Sequence, residues 1–502
     1  MQDYVQGAAR AGPAFVDTQR NRCDSKQKRL ETYGPRMRHG VSQEAHVSSH
    51  PARPASNPAA LALGATAQAA HHDAQVTRAR RYTQLMLLVL AAGAIYPILY
   101  LRQVYQPTML EVFHITDSQL GYLYSSLGTI FLLSYLPSGW LADRIAPRML
   151  ICFSLIATGA LGLWYSTAPS FQMLMVIFGG WGLSTGLTFW AAVIKRVATI
   201  AGAGEQGRFF GLLDGGRGLI EAMLATVAIT LFAWATQTKG ESVATGFRIV
   251  VYLYAFLCIA LGIVLALVKD PQSEVHADAA HGTHDANRLA TGTRRGNVLA
   301  DLATLAKIPA LWLVAAIVFC GYQVFWATYS FSAYLHEGDI GLTVVMAGTI
   351  TTLKLWMRPI GGIGGGFLGD RYSKVSVLAI ALFLAALSLV ALMAAPRISS
   401  HVLLVFLVLF IGILTYAIRG LYWSLLERCN IPVSTVGLAI GLISVLGYSP
   451  DVFLPLINGY LIERFPGVFG YQLYFGYVAA MAALGGCAGL ALRSLLNRKE
   501  GA

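Results

Sequence analysis

Three ionisable side chains, Asp214, Arg217 and Glu221, interrupt the otherwise apolar stretch Gly211-Leu-Leu-Asp-Gly-Gly-Arg-Gly-Leu-Ile-Glu-Ala-Met-Leu224. Arg217 and Glu221 stand four apart, as do Lys354 and Arg358 in a second apolar stretch, a spacing that puts each pair on one helical face. Arg102, Arg419 and Asp451 are set in apolar surroundings of their own. A charge inside a bilayer is costly unless it faces water or a partner, so each of these residues is a functional candidate. The cations Arg102, Arg217, Lys354, Arg358 and Arg419 outnumber the acids Asp214, Glu221 and Asp451. A cavity that they share should be positive and should take a negatively charged ligand. The alternative for Arg217 and Glu221 is a purely structural pair, and Arg358, nearer a membrane surface, can snorkel to it.

Other chemistries find little support. No aspartate-rich metal motif, serine elbow or pair of histidines on a helix occurs, so the chain is not expected to be an enzyme. Gly364-Gly-Gly-Phe-Leu-Gly369 has the form G-x-G-x-x-G, but no strand precedes it, and close helix packing explains it better than a dinucleotide site. The six cysteines show no C-x-x-C spacing, and His276, His281 and His284 lack the cysteine or carboxylate set that would complete a metal site. No cofactor and no metal is expected.

The elements that must position the charges follow from composition. With 56% hydrophobic and only 12% charged residues, the 502-residue chain is a polytopic membrane protein. A span needs roughly 20 mostly apolar residues. Twelve such runs fall near 84–105, 118–141, 147–166, 171–194, 208–235, 248–268, 309–334, 342–368, 375–395, 401–426, 434–461 and 470–493. One set of the intervening breaks carries Arg144, Arg148, Lys195, Arg196, Lys269, Arg288, Arg294, Arg295, Arg371, Lys374, Arg428, Arg493, Arg498 and Lys499. The other set carries only Lys239, Arg248, Arg397 and Arg464. Cytoplasmic loops hold the positive excess, so both termini and the middle loop are expected in the cytoplasm. The formal charge of +12 has the same origin and is no sign of nucleic-acid binding.

The expected organisation is a disordered cytoplasmic tail over 1–82, a six-helix bundle over 83–268, a cytoplasmic linker over 269–307, a second six-helix bundle over 308–495 and a short cytoplasmic tail over 496–502. The first tail is rich in Arg, His, Ala, Pro and Ser, and is either genuine or an over-long start. Its apolar run at Leu61 is too short for a signal peptide.

The halves read as copies. Gly139-Trp-Leu-Ala-Asp-Arg-Ile-Ala-Pro-Arg148 follows the second span and Gly366-Phe-Leu-Gly-Asp-Arg-Tyr-Ser-Lys374 the eighth, roughly 230 residues apart. At a similar offset Phe189-Trp190 with Lys195 matches Tyr422-Trp423 with Arg428, Gly211 matches Gly441 and Glu221 matches Asp451.

The repeated G-x-L-x-D-R, in Gly139, Asp143 and Arg144 and again in Gly366, Asp370 and Arg371, resembles the loop motif of the major facilitator superfamily, although Lys374 comes one position early relative to Arg148. The resemblance implies an all-α membrane protein of twelve transmembrane helices in two pseudo-symmetric six-helix bundles, with alternating access around a central cavity. It also implies a gating role for Asp143 and Asp370, where a carboxylate can cap a helix or pair with arginine in the inward-closed state. A closer likeness is local: Tyr96-Pro-Ile-Leu-Tyr-Leu-Arg102 is similar to the first helix of the organophosphate:phosphate antiporters, which implies that Arg102 binds substrate. That family's second substrate arginine belongs in the seventh helix, where Gly321-Tyr-Gln-Val-Phe-Trp326 holds none; Lys354 and Arg358 can supply the charge instead.

The expected function is therefore secondary active transport of a small organic anion, as proton symport or anion exchange, with Arg102, Arg217, Lys354, Arg358 and Arg419 binding substrate. Glu221, Asp451 and Asp214 are expected to couple protons or pair charges, since burial and neighbouring arginines act on a carboxylate's proton in opposite directions. The expected partners are the anion and the lipid bilayer, the expected state a monomer, and the expected location the inner (plasma) membrane. The alternative is a transporter-like receptor that senses an anionic metabolite.

Overall fold

The computed structural model describes residues 58–201, 205–268, 303–398, 400–429, 431 and 435–500, and among them every regular element is helical. The tail before residue 58, most of the expected linker and its three histidines lie outside the described residues. The membrane-spanning segments are α1 (Ala79–Phe113), α2 (Asp117–Arg144), α3 (Pro147–Tyr165), α4 (Phe171–Ile200), α5 (Arg208–Thr238) and α6 (Val243–Leu267) in the first half. The second half holds α7 (Pro309–His336), α8 (Val344–Arg371), α9 (Lys374–Ala394), α10 (His401–Leu426), α11 (Leu438–Arg464) and α12 (Val468–Arg498). The helix containing α1 begins earlier, at Pro58, inside the stretch expected as tail.

Ten of the twelve are long and apolar enough to be recognised as spans by composition; α2 and α8 are not. These two carry the repeated G-x-L-x-D-R motif at their ends, and α8 also carries Lys354 and Arg358. They are the less apolar helices because they line the interface between the bundles rather than lipid alone.

Local signals set the helix starts. Pro147 and Pro309 open α3 and α7, at the one position where a missing N–H costs nothing. The Thr116 hydroxyl accepts from the Gln119 amide while the Gln119 side chain accepts from the Thr116 amide, a reciprocal cap for α2. Ser242, Thr343 and Ser400 cap α6, α8 and α10 in the simpler way, each accepting from the amide three residues on.

Within each bundle, small residues bring helices together. A Cβ at Gly159 of α3 would sit 2.6 Å from the Ala255 carbonyl of α6, and Gly361 and Gly365 of α8 meet Ile413 and Ala417 of α10. The two bundles touch through α2 against α11 and through α5 against α8. A Cβ at Gly121, Gly128 or Gly459 would overlap the carbonyls of Pro455, Asp451 and Asp117 respectively. All of these contacts lie from the middle of the molecule to the end remote from the termini. At the end that carries the termini, Gly139, Gly211, Gly215, Gly362, Gly364 and Gly366 face open space. The bundles are therefore closed at the remote end and parted at the other.

Candidate functional site

Five helices lose regular α geometry along their spans, four of them inside the span and α10 at its end. α1 breaks at Tyr100 and Leu101, just after Pro97, and restarts at Arg102. α4 widens into a π-helical turn over Gly182–Leu187, and α7 tightens into a 3₁₀ turn over Thr328–Ser330. α10 ends in a 3₁₀ run that begins at Tyr422, and α11 breaks between Gly447 and Pro450. Non-helical backbone within a span is tolerated where it is enclosed by protein or lines a cavity. Here it surrounds a cavity of about 470 Å³ between the bundles.

Aromatic side chains from both halves make a large part of its wall, including Tyr96, Tyr100 and Trp190 from one and Phe325, Tyr416 and Trp423 from the other, with Arg217, Glu221, Arg358, Arg419 and Asp451 among them. Trp190 and Trp423, the matched tryptophans of the two halves, thus share one cavity, as do the matched carboxylates Glu221 and Asp451.

Four of the charges form a square. Arg358 Nη1 donates to Glu221 Oε2 at 2.6 Å and its Nη2 to Asp214 Oδ1 at 3.5 Å. Arg217 faces the same two acids more loosely, with 3.6 Å from Nη2 to Asp214 and 3.8 Å from Nε to Glu221. Because Arg358 belongs to α8 and the other three to α5, the square crosses the interface between the bundles. The Arg217 guanidinium also lies 5.0 Å from the ring centre of Trp190.

Arg419 is held differently. Its guanidinium carbon stands 4.0 Å from the Phe325 ring centre, and among the described residues it enters no salt bridge. Asp451 does not neutralise it: Asp451 Oδ1 accepts from the Tyr322 hydroxyl at 2.8 Å and from Trp326 Nε1 at 2.6 Å. Two arginines are thus matched by two carboxylates, and a third arginine stacks on an aromatic ring in the same cavity.

Arg102 and Lys354 do not line the cavity. The break in α1 turns Arg102 away from it, toward α11: Nη2 donates to Asn458 Oδ1 and Nε to Gln106 Oε1 at 3.0 Å. Gln106 in turn donates to Asp117 at 2.7 Å, and Asn458 to Ser330 at 3.1 Å. Arg102 is 2% exposed, and its Nη1 is buried with no hydrogen-bond partner. It belongs to a polar cluster at the remote, closed end that joins α1, α2, α7 and α11. Lys354 is 1% exposed behind the cavity wall, its Nζ donating to Thr328 Oγ1 at 3.0 Å and its stem lying against Gly412.

The motif residues stand apart, at the open end. Asp143 pairs with Lys195 at 2.8 Å and Asp370 with Lys374 at 3.9 Å, each within its own bundle, and both acids are about three-quarters exposed. Arg144 lies over Trp140 and Arg371 beside Tyr372. Sequence reasoning did not anticipate Tyr322, Trp326, Gln106 or Asn458 as partners of the charges. The four-residue spacing of Tyr322 and Trp326, and of Arg102 and Gln106, was the available signal.

Two six-helix bundles closed at one end over a charged central cavity define a membrane transporter rather than an enzyme. The chain belongs to the Major Facilitator Superfamily, whose family pattern matches residues 84–455. It is 26% identical to the inner membrane protein YihN of Escherichia coli (strain K12), over 84% of this chain and 97% of that one. It is 25% identical to the "Probable sulfoacetate transporter SauU" of Cupriavidus necator, over 78% of this chain and 89% of the relative. Among solved structures, a bacterial homologue of the human lysosomal transporter Spinster, in an inward-facing and occupied conformation, shares the fold with a TM-score of 0.65 at 15% identity, covering 83% of this chain and 97% of that one.

Proposed function

We propose that this transporter carries a small organic anion by alternating access, as proton symport or anion exchange. The observation that carries the reading is Arg419: a cavity-facing guanidinium, stacked on Phe325 and free of any salt bridge among the described residues. A planar five-donor fork suits a carboxylate, sulfonate or phosphate. The relative named for sulfoacetate, a doubly acidic two-carbon compound, supports the same class.

The anion docks on Arg419, and Arg217 and Arg358 supply further charge. Arg102 serves the closed end through Asn458, and Lys354 lies behind the wall. With both termini in the cytoplasm and the protein in the inner (plasma) membrane, the open end faces inward. Asp143, Asp370 and their neighbouring arginines then lie where the bundles would meet when that end closes. Pairing there would hold the inward-closed state.

Counterflow in proteoliposomes tests the reading. Labelled sulfoacetate, glucarate, a hexose phosphate and a neutral hexose should separate by charge. At least one anion is expected to exchange against its unlabelled form while the hexose does not. Exchange of the neutral hexose alone would overturn it.

A further inference from the structure

Resting on the anion reading, we propose that Glu221 is the residue that couples the anion to a proton: neutral Glu221 releases Arg358 to the substrate, and ionised Glu221 takes it back, so that the anion moves by symport rather than exchange alone.

The square of charges carries the argument. Both arginines in it are engaged by carboxylates, and its shortest contact, 2.6 Å between Arg358 and Glu221, is also one that joins the two bundles. An anion entering beside Arg419 meets Arg358 next, because the two flank Tyr416: Arg358 lies 5.8 Å from that ring centre, and Arg419 follows Tyr416 by three residues on α10. While Glu221 holds its negative charge, it occupies Nη1 of Arg358 and repels a second anion at close range. A proton on Glu221 removes both obstacles. The carboxyl keeps its place, and the Arg358 fork can turn one edge to the substrate. No bond is made or broken apart from O–H; the proton enters with the anion from whichever side the cavity is open to and leaves with it on the other.

Glu221 is better suited to this exchange than the other two acids. Asp451 is 4% exposed, and its Oδ1 accepts from the Tyr322 hydroxyl and Trp326 Nε1; among the described residues it pairs with no arginine, so a proton on it would release none. Asp214 is the more solvated, its side chain 45% exposed against 19% for Glu221, and its contact with Arg358 is the longer. Groups facing Glu221 are Tyr96 on α1, Tyr329 on α7, Lys354 and Arg358 on α8 and Tyr416 on α10, with Asp214 and Arg217 on its own helix and Arg419 beyond Tyr416. The tyrosines stay neutral in this exchange. The arginines keep their charge throughout. Lys354 points to Thr328 and stays behind the wall.

The test uses the full chain in proteoliposomes, with labelled sulfoacetate as probe, or whichever anion of the panel the wild type exchanges. Wild type is expected to show counterflow and, with the outside acidic, to accumulate the label several-fold above equilibrium. Glu221→Gln, which fixes the neutral state, is expected to keep counterflow but lose accumulation, the inside-to-outside ratio falling to one. Accumulation by Glu221→Gln at the wild-type level, or wild-type counterflow with no response to the pH gradient, overturns the coupling role. Absence of wild-type counterflow for every anion of the panel instead removes the anion reading itself. A second measurement needs no variant. Binding of the probe to wild type in weakly buffered detergent should take up about one proton per anion, and binding without proton uptake overturns the proposal even where Glu221→Gln does not fold.

Discussion

Arg419 and Arg102 show how little residue type says without its neighbours. Both are arginines set in apolar helices, yet one faces an aromatic wall with an open fork and the other is clasped by two amides at the closed end. Truncating a desolvated charge that holds a ligand costs about 2 to 5 kcal/mol. Arg419→Ala should therefore weaken binding of the transported anion by that amount, measured by calorimetry on purified protein. Arg419→Lys should recover part of it, because a point charge replaces the fork. Arg102→Ala should change the same affinity by less than about 0.5 kcal/mol, since it shares no contact with the cavity. Transport by Arg102→Ala should fall all the same, because the closed end loses the joint that Arg102, Gln106, Asp117, Ser330 and Asn458 make across four helices. An Arg102→Ala protein that no longer binds the anion would restore the anchor role implied by the antiporter resemblance.

At the scale of helices, the twelve spans were legible because an apolar run of span length has few other uses in a chain of this composition. Even α2 and α8, which composition leaves out as spans, were legible as the apolar runs 118–141 and 342–368, with the shared motif at the same end of both. The breaks were less legible. Pro97 and Pro450 mark two of them, but nothing in Thr328-Tyr-Ser330 announces a 3₁₀ turn; the surrounding cavity, a tertiary feature, decides it. The rotation of Arg102 away from the cavity follows from such a break and is invisible to residue counting. The glycine run of α8 was legible as packing, and its faces now divide cleanly. Gly365 and Gly369 meet Ala417 and Leu421 of α10, whereas Gly364 and Gly366 meet nothing within 4 Å. Adding bulk at a packed face costs about 1 to 3 kcal/mol. Gly365→Val should accordingly lower the unfolding temperature in detergent, while Gly364→Ala should leave it unchanged or raise stability by up to about 1 kcal/mol. Equal losses at both positions would mean that α8 uses its glycines for flexibility rather than for approach to α10.

For the whole molecule, the alternating access proposed above treats the two bundles as rigid bodies whose contact shifts from one end to the other. The closed end therefore has to be tight enough to seal and weak enough to part. Glycine meets both demands. Gly121 and Gly128 of α2 and Gly459 of α11 let backbone lie directly on backbone, with Gly128 against the carbonyl of Asp451, without interlocking side chains that would resist separation. A side chain at Gly128 cannot fit while α2 and α11 touch, but is accommodated once they part. Gly128→Leu should then raise the energy of the closed remote end by about 1 to 3 kcal/mol relative to the opened one, a shift in their ratio of about 5- to 150-fold. Spin labels at Thr167 and Asp339, exposed loop positions of opposite bundles at that end, would report it as a growing population at longer distance. Gly139→Leu is the matched contrast: it lies on the same helix, but at the end where a Cβ meets nothing while that end is open, and should not add to the longer-distance population. If Gly128→Leu unfolds the protein, Gly128→Ala makes a smaller version of the same overlap. A distance distribution identical to wild type in a folded variant would mean that α2 and α11 do not form the seal.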